Sequence, residues 1–385
     1  MIANHLNKAI YDLNRSPIRD FSNLARNTEG CIALTLGEPD FDTPMNITAK
    51  VTTAFQNHET HYIPNNGIPE LLKEIKIFEN TQNGMHYKTG QIITTAGATE
   101  GLFLSLFSIL NPEDEVIVPT PAFLLYEQII KVCRGKFIPL DTSKNHFQID
   151  EKELKKCITT HTKAIILNTP NNPTGCILNK TSLENVYHCV RGKDIFIICD
   201  DVYRQLCYEG KAHSFTEYED LAIQTILVQS FSKPYAMTGW RMGYLVVPEE
   251  IKPRIELVHQ YMITSTPAPF QRACIGALHT DPELFLIQYR KRRTMVLQEL
   301  DRLKLPYVRP EGAFYVFPDI SKYRLSSLDF CTRMINEAKL AATPGFCFGD
   351  DACIRLSYCC SEDIIQEGMK RLEQFLAILK KEGRG

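Results

Sequence analysis

The sequence predicts an α/β chain: a mostly parallel, seven-stranded sheet covered by helices, with a second, smaller α+β domain. Three observations carry this expectation. Seven short apolar runs, at 91–96, 115–119, 136–140, 163–168, 194–200, 225–229 and 242–247, are continuous rather than alternating, as in strands buried on both faces. Helical stretches fall between them, at 99–110, 123–132, 151–159 and 183–190, so strand and helix alternate as in a parallel sheet. The texture then changes. A long charged helical region at 282–303 leads through a mixed segment, 306–320, to a helix at 327–339, an extended stretch at 352–358 and a terminal helix at 361–381. These boundaries place a large domain at 45–278. The smaller one comprises 279–385, with the loop-rich segment 1–44 packed on it.

The 385 residues are enough for two or three domains and a large buried core. Hydrophobic residues make up 44% and charged residues 23%, the balance of a water-soluble globular chain. A formal net charge of −2 supplies no field for nucleic acid or an anionic membrane surface. No apolar run approaches a membrane span, and Met1–Lys8 lacks the basic-then-apolar pattern of a secretion signal. The 13 cysteines include no Cys-x-x-Cys pair, and many sit inside apolar stretches. They read as reduced, buried thiols of a cytoplasmic protein. The 10 histidines show no metal-ligand spacing, so no catalytic metal is expected.

Ligands of such sheets lie beyond the C-terminal ends of the strands, and the polar residues of interest sit there. After the run 225–229 comes Ser230-Phe231-Ser232-Lys233, with Arg241 eight residues beyond the lysine. An amine beside hydroxyls and a guanidinium suits a phosphorylated aldehyde held as an imine. A solvated lysine with an unrelated surface arginine is the plain alternative. Asp200 ends the run 194–200, with Tyr203 three residues on. A carboxylate there needs a cationic partner such as a protonated pyridine nitrogen, unless it caps a helix. Asp201 can take the capping role. Asn172 lies in the rigid turn Asn171-Asn172-Pro173-Thr174-Gly175, where an amide can be fixed, although such turns are often only turns. Gly97-Ala98-Thr99 opens a helix after another strand, a place where backbone amides bind anions. Arg355, flanked by apolar residues, needs an answering charge: a substrate carboxylate or a structural ion pair. Gly37, in Gly37-Glu38-Pro39-Asp40, lets backbone approach a ligand. Tyr62 and Asn65-Asn66-Gly67 form a further loop.

In this order, from the Gly37 loop through Tyr62, Gly97-Ala98-Thr99, Asn172-Pro173-Thr174-Gly175, Asp200-x-x-Tyr203 and Ser230-x-x-Lys233 to Arg241 and Arg355, the segments resemble the class I and II aminotransferases. These are fold-type I enzymes that use pyridoxal 5′-phosphate (PLP), and the resemblance spans nearly the whole chain. It implies that Lys233 holds PLP as a covalent Schiff base and moves the substrate proton. It implies that Asp200 faces the pyridine nitrogen, that Tyr203 and Asn172 contact the ring hydroxyl, and that Phe123 stacks on the ring. Gly97, Ala98, Thr99, Ser230, Ser232 and Arg241 then surround the phosphate, joined by Tyr62 of a neighbouring subunit, which makes the active unit a homodimer. Arg355, Asn172 and the Gly37 backbone take the substrate α-carboxylate. The expected reaction is a ping-pong exchange of an amino group between an L-amino acid and a 2-oxo acid such as 2-oxoglutarate.

Aspartate specialists in one branch of this family carry a lysine soon after the Gly-rich turn, where this chain has Ala98-Thr99-Glu100-Gly101. Phe21, Phe123, Tyr126 and Tyr315 are candidates to line an apolar side-chain pocket, favouring an aromatic or other apolar donor. The segments 18–24 and 257–261 are similar to those of bacterial aromatic and N-acetyl-diaminopimelate aminotransferases. The alternatives are N-acetyl-diaminopimelate or aspartate transamination, a PLP-dependent carbon–sulfur β-lyase, and, more remotely, a non-enzymatic PLP-binding regulator.

Overall fold

The computed structural model describes residues 6–11, 13 and 17–384; most of the N-terminal segment considered for a secretion signal, residues 1–5, lies outside them. The chain begins with α1 (Pro17–Asn27), β1 (Ile32–Ala33), α2 (Met45–Gln56) and α3 (Pro69–Gln82). Strands and helices then alternate: β2 (Ile92–Thr95), α4 (Ala98–Ile109), β3 (Glu115–Thr120), α5 (Leu125–Val132), β4 (Lys136–Asp141), α6 (Glu151–Cys157), β5 (Thr162–Asn168), α7 (Lys180–Val190) and β6 (Phe196–Asp200). β7 (Thr225–Ser230) and β8 (Gly243–Val246) complete the series, followed by α8 (Lys252–Ile263), α9 (Ala268–Leu278) and α10 (Glu283–Arg302). The last part comprises β9 (Tyr315–Val316), α11 (Ser327–Ala338), β10 (Leu340–Ala341), β11 (Thr343–Pro344), β12 (Ile354–Ser357) and α12 (Glu362–Lys381).

The seven expected strands form one sheet in the order β2-β8-β7-β6-β5-β3-β4. Only β8 runs against its neighbours. Because successive side chains point to opposite faces, continuous apolar runs feed two cores. Ile165, Ile197, Cys199 and Leu227 pack on one face, and Ile166, Ile198, Ile226 and Val228 on the other. Each fully buried aliphatic side chain contributes roughly 1.5–3 kcal/mol, so every strand is held from both sides.

β11, β12 and β9 make a small antiparallel sheet, and β1 pairs in parallel with β10. Together with α11 and α12 they enclose a third core that includes Phe314, Phe330 and Phe375. The N-terminal segment contributes Phe21, Ala25 and Leu34 to this core, and it is not merely loop. Pro17–Asn27 is helical, with Phe21 and Ala25 four residues apart and buried, the spacing that puts two side chains on one helix face. Phe21 therefore belongs to this core and does not line the substrate cleft.

Asp201 also departs from expectation. No helix follows β6, so Asp201 caps none. Its Oδ2 instead accepts from Arg204 Nη1 at 3.1 Å and from Ser214 Oγ at 2.8 Å. Arg204 Nη2 donates to both oxygens of Glu79, on α3, at 2.8 and 2.7 Å. All three charged side chains are buried. Burial pushes the Asp201 carboxyl up to about 6, while Arg204 opposes that rise. Removing one member of such a cluster leaves uncompensated buried charge. Arg204→Ala is therefore expected to destabilise the protein by about 3–5 kcal/mol in denaturant unfolding; a loss below about 1 kcal/mol would show that the cluster carries no structural load.

Candidate active site

The carboxyl ends of β2, β5, β6 and β7 point to one edge of the sheet, and the amino end of the reversed β8 reaches the same edge. Beyond it lies a cleft of about 670 Å³, closed on the other side by residues of the N-terminal segment, β9 and β12. That volume suits a small-molecule site.

Asp200 sits in the wall of this cleft, 4% exposed. Its Oδ2 accepts from the Tyr126 hydroxyl at 2.7 Å. Among the described residues its buried Oδ1 has no partner in hydrogen-bond geometry, and the nearby Val202 N–H together with Tyr126 only partly offsets the burial. Burial pushes the carboxyl up to about 6. Asn168, at the end of β5, donates through Nδ2 to the Asp200 carbonyl at 2.9 Å and accepts from the Asn172 N–H at 3.0 Å. One amide thus positions two of the expected site residues. Tyr203 shares a 2.9 Å hydrogen bond with the Tyr315 hydroxyl, and burial keeps both phenols protonated.

Lys233 follows β7 and donates from Nζ to the Gly37 carbonyl at 2.6 Å. Desolvation in the cleft pushes its amine down to about 8. Gly37 admits no side chain, because a Cβ there would run into the Tyr315 ring.

One end of the cleft is built for an anion. α4 begins there with Ala98 and Thr99, whose amides have no partner in the first turn of a helix. The buried Ser230 and Ser232 hydroxyls stand opposite. Arg241 has φ 55° and donates from Nη1 to the Thr238 carbonyl at 2.9 Å. Its guanidinium lies so close to Gly97 (φ 80°) that a Cβ there would sit 2.6 Å from Nη2. Only glycine fits that position on both counts.

At the other end, Arg355 is buried on β12, stacked over Tyr315 at 4.5 Å and Phe348 at 4.9 Å. It donates to Asn172 Oδ1 at 2.8 Å and to the Thr35 carbonyl. Among the described residues no carboxylate pairs with it, and its Nε has no partner. The structural ion pair weighed above is thus not what holds it.

The cleft therefore gathers Gly37, Ala98, Thr99, Phe123, Asn172, Asp200, Tyr203, Ser230, Ser232, Lys233, Arg241 and Arg355, with Gly97 immediately behind Arg241. Tyr62 is not among them. It is 91% exposed and lies beside Phe270 on a separate groove. Asn168 went unrecognised, although it ends a strand run beside the Asn172 turn. Tyr126 was read only as pocket lining, because nothing in a helical segment marks a partner 74 residues away.

The unpartnered Asp200 Oδ1 fits a cationic ring N–H. The amides of Ala98 and Thr99, the serine hydroxyls and Arg241 fit a phosphate, and Lys233 lines the same cleft. These residues match the donor set that PLP requires. Among the described residues, no cluster of three or more acidic, histidine or cysteine side chains is placed to hold a metal ion.

Comparison with known proteins agrees with this geometry. The family model described as aminotransferase class I and II matches residues 29–372. A probable N-acetyl-LL-diaminopimelate aminotransferase of Bacillus subtilis is 35% identical, covering 98% of this chain and 96% of its own. Aromatic-amino-acid aminotransferase 2 of Thermococcus litoralis is 36% identical, covering 94% and 96%. Among solved structures, an aromatic aminotransferase from Pyrococcus horikoshii superposes with a TM-score of 0.89 at 34% identity, covering 94% and 99%. An aspartate aminotransferase from Thermus thermophilus with maleate gives 0.91 at 31%, covering 96% and 99%.

The amine at the centre of the cleft yields a direct test. A lysine must be neutral to attack an electrophile, so labelling of Lys233, followed by mass spectrometry of its peptide, should rise with pH through a midpoint of about 8. A midpoint at the ordinary lysine value would contradict the desolvated placement.

Proposed function

The chain belongs to the class I and II aminotransferases, and we propose that it moves an amino group between an aromatic or other largely apolar L-amino acid and a 2-oxo acid, with PLP held by Lys233. The observation that carries the reading is a single cleft whose lining includes Asp200, Lys233, the groups fit for an anion and the buried Arg355.

When bound, PLP supplies an electron sink that stabilises the negative charge left at the substrate Cα after deprotonation. The protein's own residues do the rest. Asp200 would keep the ring nitrogen protonated, relieving its own desolvation. Tyr203 and Asn172 would donate to the ring hydroxyl, and Phe123 would cover the ring face. Ala98, Thr99, Ser230, Ser232 and Arg241 would bind the phosphate, with the tight turn at Gly97 bringing backbone and guanidinium together. Arg355 would receive the substrate α-carboxylate through its unpaired Nε edge, supported by Asn172 and the Gly37 backbone. Lys233 would hold the cofactor and, as a free amine, would take the proton from the substrate Cα. Its lowered basicity suits a base working near neutral pH, and such proton transfer is typically worth about 10²–10⁴-fold.

The donor preference rests on the walls of the cleft. Ile18, Leu36, Leu125, Phe123 and Tyr315 line it, and no lysine stands in the first turn of α4. Arg19, exposed and lining the cleft, would meet the distal carboxylate of an acceptor such as 2-oxoglutarate. We further take 45–278 as the large domain and 1–44 with 279–385 as the smaller one, in a cytoplasmic homodimer whose Tyr62 reaches the neighbouring site. The exposed Tyr62, Tyr261 and Met45 side chains support that pairing.

Titrating the protein with a panel of amino acids tests the reading. Aromatic donors should discharge the visible absorbance of lysine-bound cofactor and release 2-oxo acid, and Lys233→Ala should lack both the absorbance and turnover. Reaction with acidic amino acids alone would overturn the apolar pocket. Pyruvate and ammonia formed from cystathionine without an acceptor would point to β-lysis instead.

A further inference from the structure

The anion end of the cleft is braced from behind by a pair of buried residues that do not touch the cleft. Glu100, in the first turn of α4, accepts through Oε2 from the Ala96 N–H. Its Oε1 faces His259 Nδ1 at 2.8 Å. His259 is on α8 and completely buried, and its Nε2 meets the Asn65 carbonyl at 2.8 Å. A carbonyl only accepts, so Nε2–H donates to Asn65, and one proton lies between Nδ1 and the carboxylate.

One imidazole therefore ties together three segments: the turn before α4, α8, and the loop that carries Tyr62. The Ala96 residue it braces also receives Arg241, whose Nη2 lies 3.5 Å from the Ala96 carbonyl. The loop is fastened further, with Thr94 N–H donating to the Asn66 carbonyl at 2.9 Å and Asn65 Nδ2 to the Thr264 carbonyl at 2.9 Å. Burying a histidine and a glutamate is costly unless their hydrogen bonds are complete, and apolar side chains would pack the space more cheaply. The hydrogen bonds must therefore hold something whose position matters.

We propose that Glu100 and His259 are positioning residues for the phosphate of the cofactor, fixing the Ala96 backbone and through it Arg241 and the amides of α4. They also register this turn against the Tyr62 loop. The proposal rests on the PLP reading above and deepens it by assigning affinity for the phosphate group to a pair outside the contact shell.

The test compares PLP with pyridoxal, which lacks the phosphate. Dissociation constants for both are measured on cofactor-depleted wild-type protein and on His259→Leu, Glu100→Ala and Glu100→Gln. Glu100→Ala and His259→Leu should each weaken PLP by about tenfold or more, from one buried hydrogen bond left unmade. They should change pyridoxal by less than about threefold. Glu100→Gln should retain most PLP affinity, because its amide oxygen still accepts from Ala96. If His259→Leu fails to fold, the two Glu100 variants decide the matter. Equal losses for PLP and pyridoxal, or no loss of either, would overturn the proposal. Wild-type protein that binds neither compound would overturn the cofactor reading itself, and this inference with it.

Discussion

A carboxylate buried with one oxygen unsatisfied is the constraint around which this molecule is arranged. Asp200 would have an ordinary acidity in an unfolded chain, yet burial moves it from 3.8 to about 6. Ionising it at neutral pH inside the fold costs roughly 3 kcal/mol. The sign is that of a raised carboxyl: the cost is absent at low pH and appears as pH rises through about 4 to 6. The fold does not remove this penalty internally. Tyr126 satisfies one oxygen, while Arg204 is engaged with the adjacent Asp201 and with Glu79. On the proposed function, a cationic ligand against Oδ1 would recover the cost and turn it into binding energy for a protonated ring.

Holding that carboxylate in place engages much of the sheet. β6 carries it, β5 supplies Asn168 to its carbonyl, and α3 supplies Glu79 to the cluster behind it. The same strand edge presents Lys233 and the serines of β7, and the reversal of β8 brings Arg241 to the edge as well. The second wall comes from remote parts of the chain: Gly37 from the N-terminal segment, Tyr315 from β9 and Arg355 from β12. The cleft is thus lined both by the edge of the large sheet and by residues of the N-terminal segment, β9 and β12. Arg355 lines the same cleft, and among the described residues its hydrogen-bond partners are all neutral.

The sequence made the sheet legible because its strands are buried on both faces and so are written as unbroken apolar runs. The strand ends followed, and with them Asp200, Lys233, Asn172 and the α4 turn. What it concealed depended on tertiary contact. α1 lies in a polar stretch, and only the helical spacing of Ile18, Phe21, Leu24 and Ala25 betrays it. Asp201 reads as a capping residue because nothing local shows that the chain after β6 turns without forming a helix, which leaves the carboxylate to Arg204 and Ser214. Tyr126 and Tyr315 are ordinary aromatics until each hydroxyl meets a residue more than seventy positions away. Glu100 and His259 are separated by 159 positions and share no local motif.

The central claim is that Asp200 holds a protonated ring nitrogen. It is tested most directly by loading the protein with PLP labelled with nitrogen-15 in the ring and recording its chemical shift between pH 6 and 9. The account predicts a shift characteristic of a protonated pyridine across that whole range. A nitrogen that titrates near its free-solution value, or is unprotonated throughout, would contradict it.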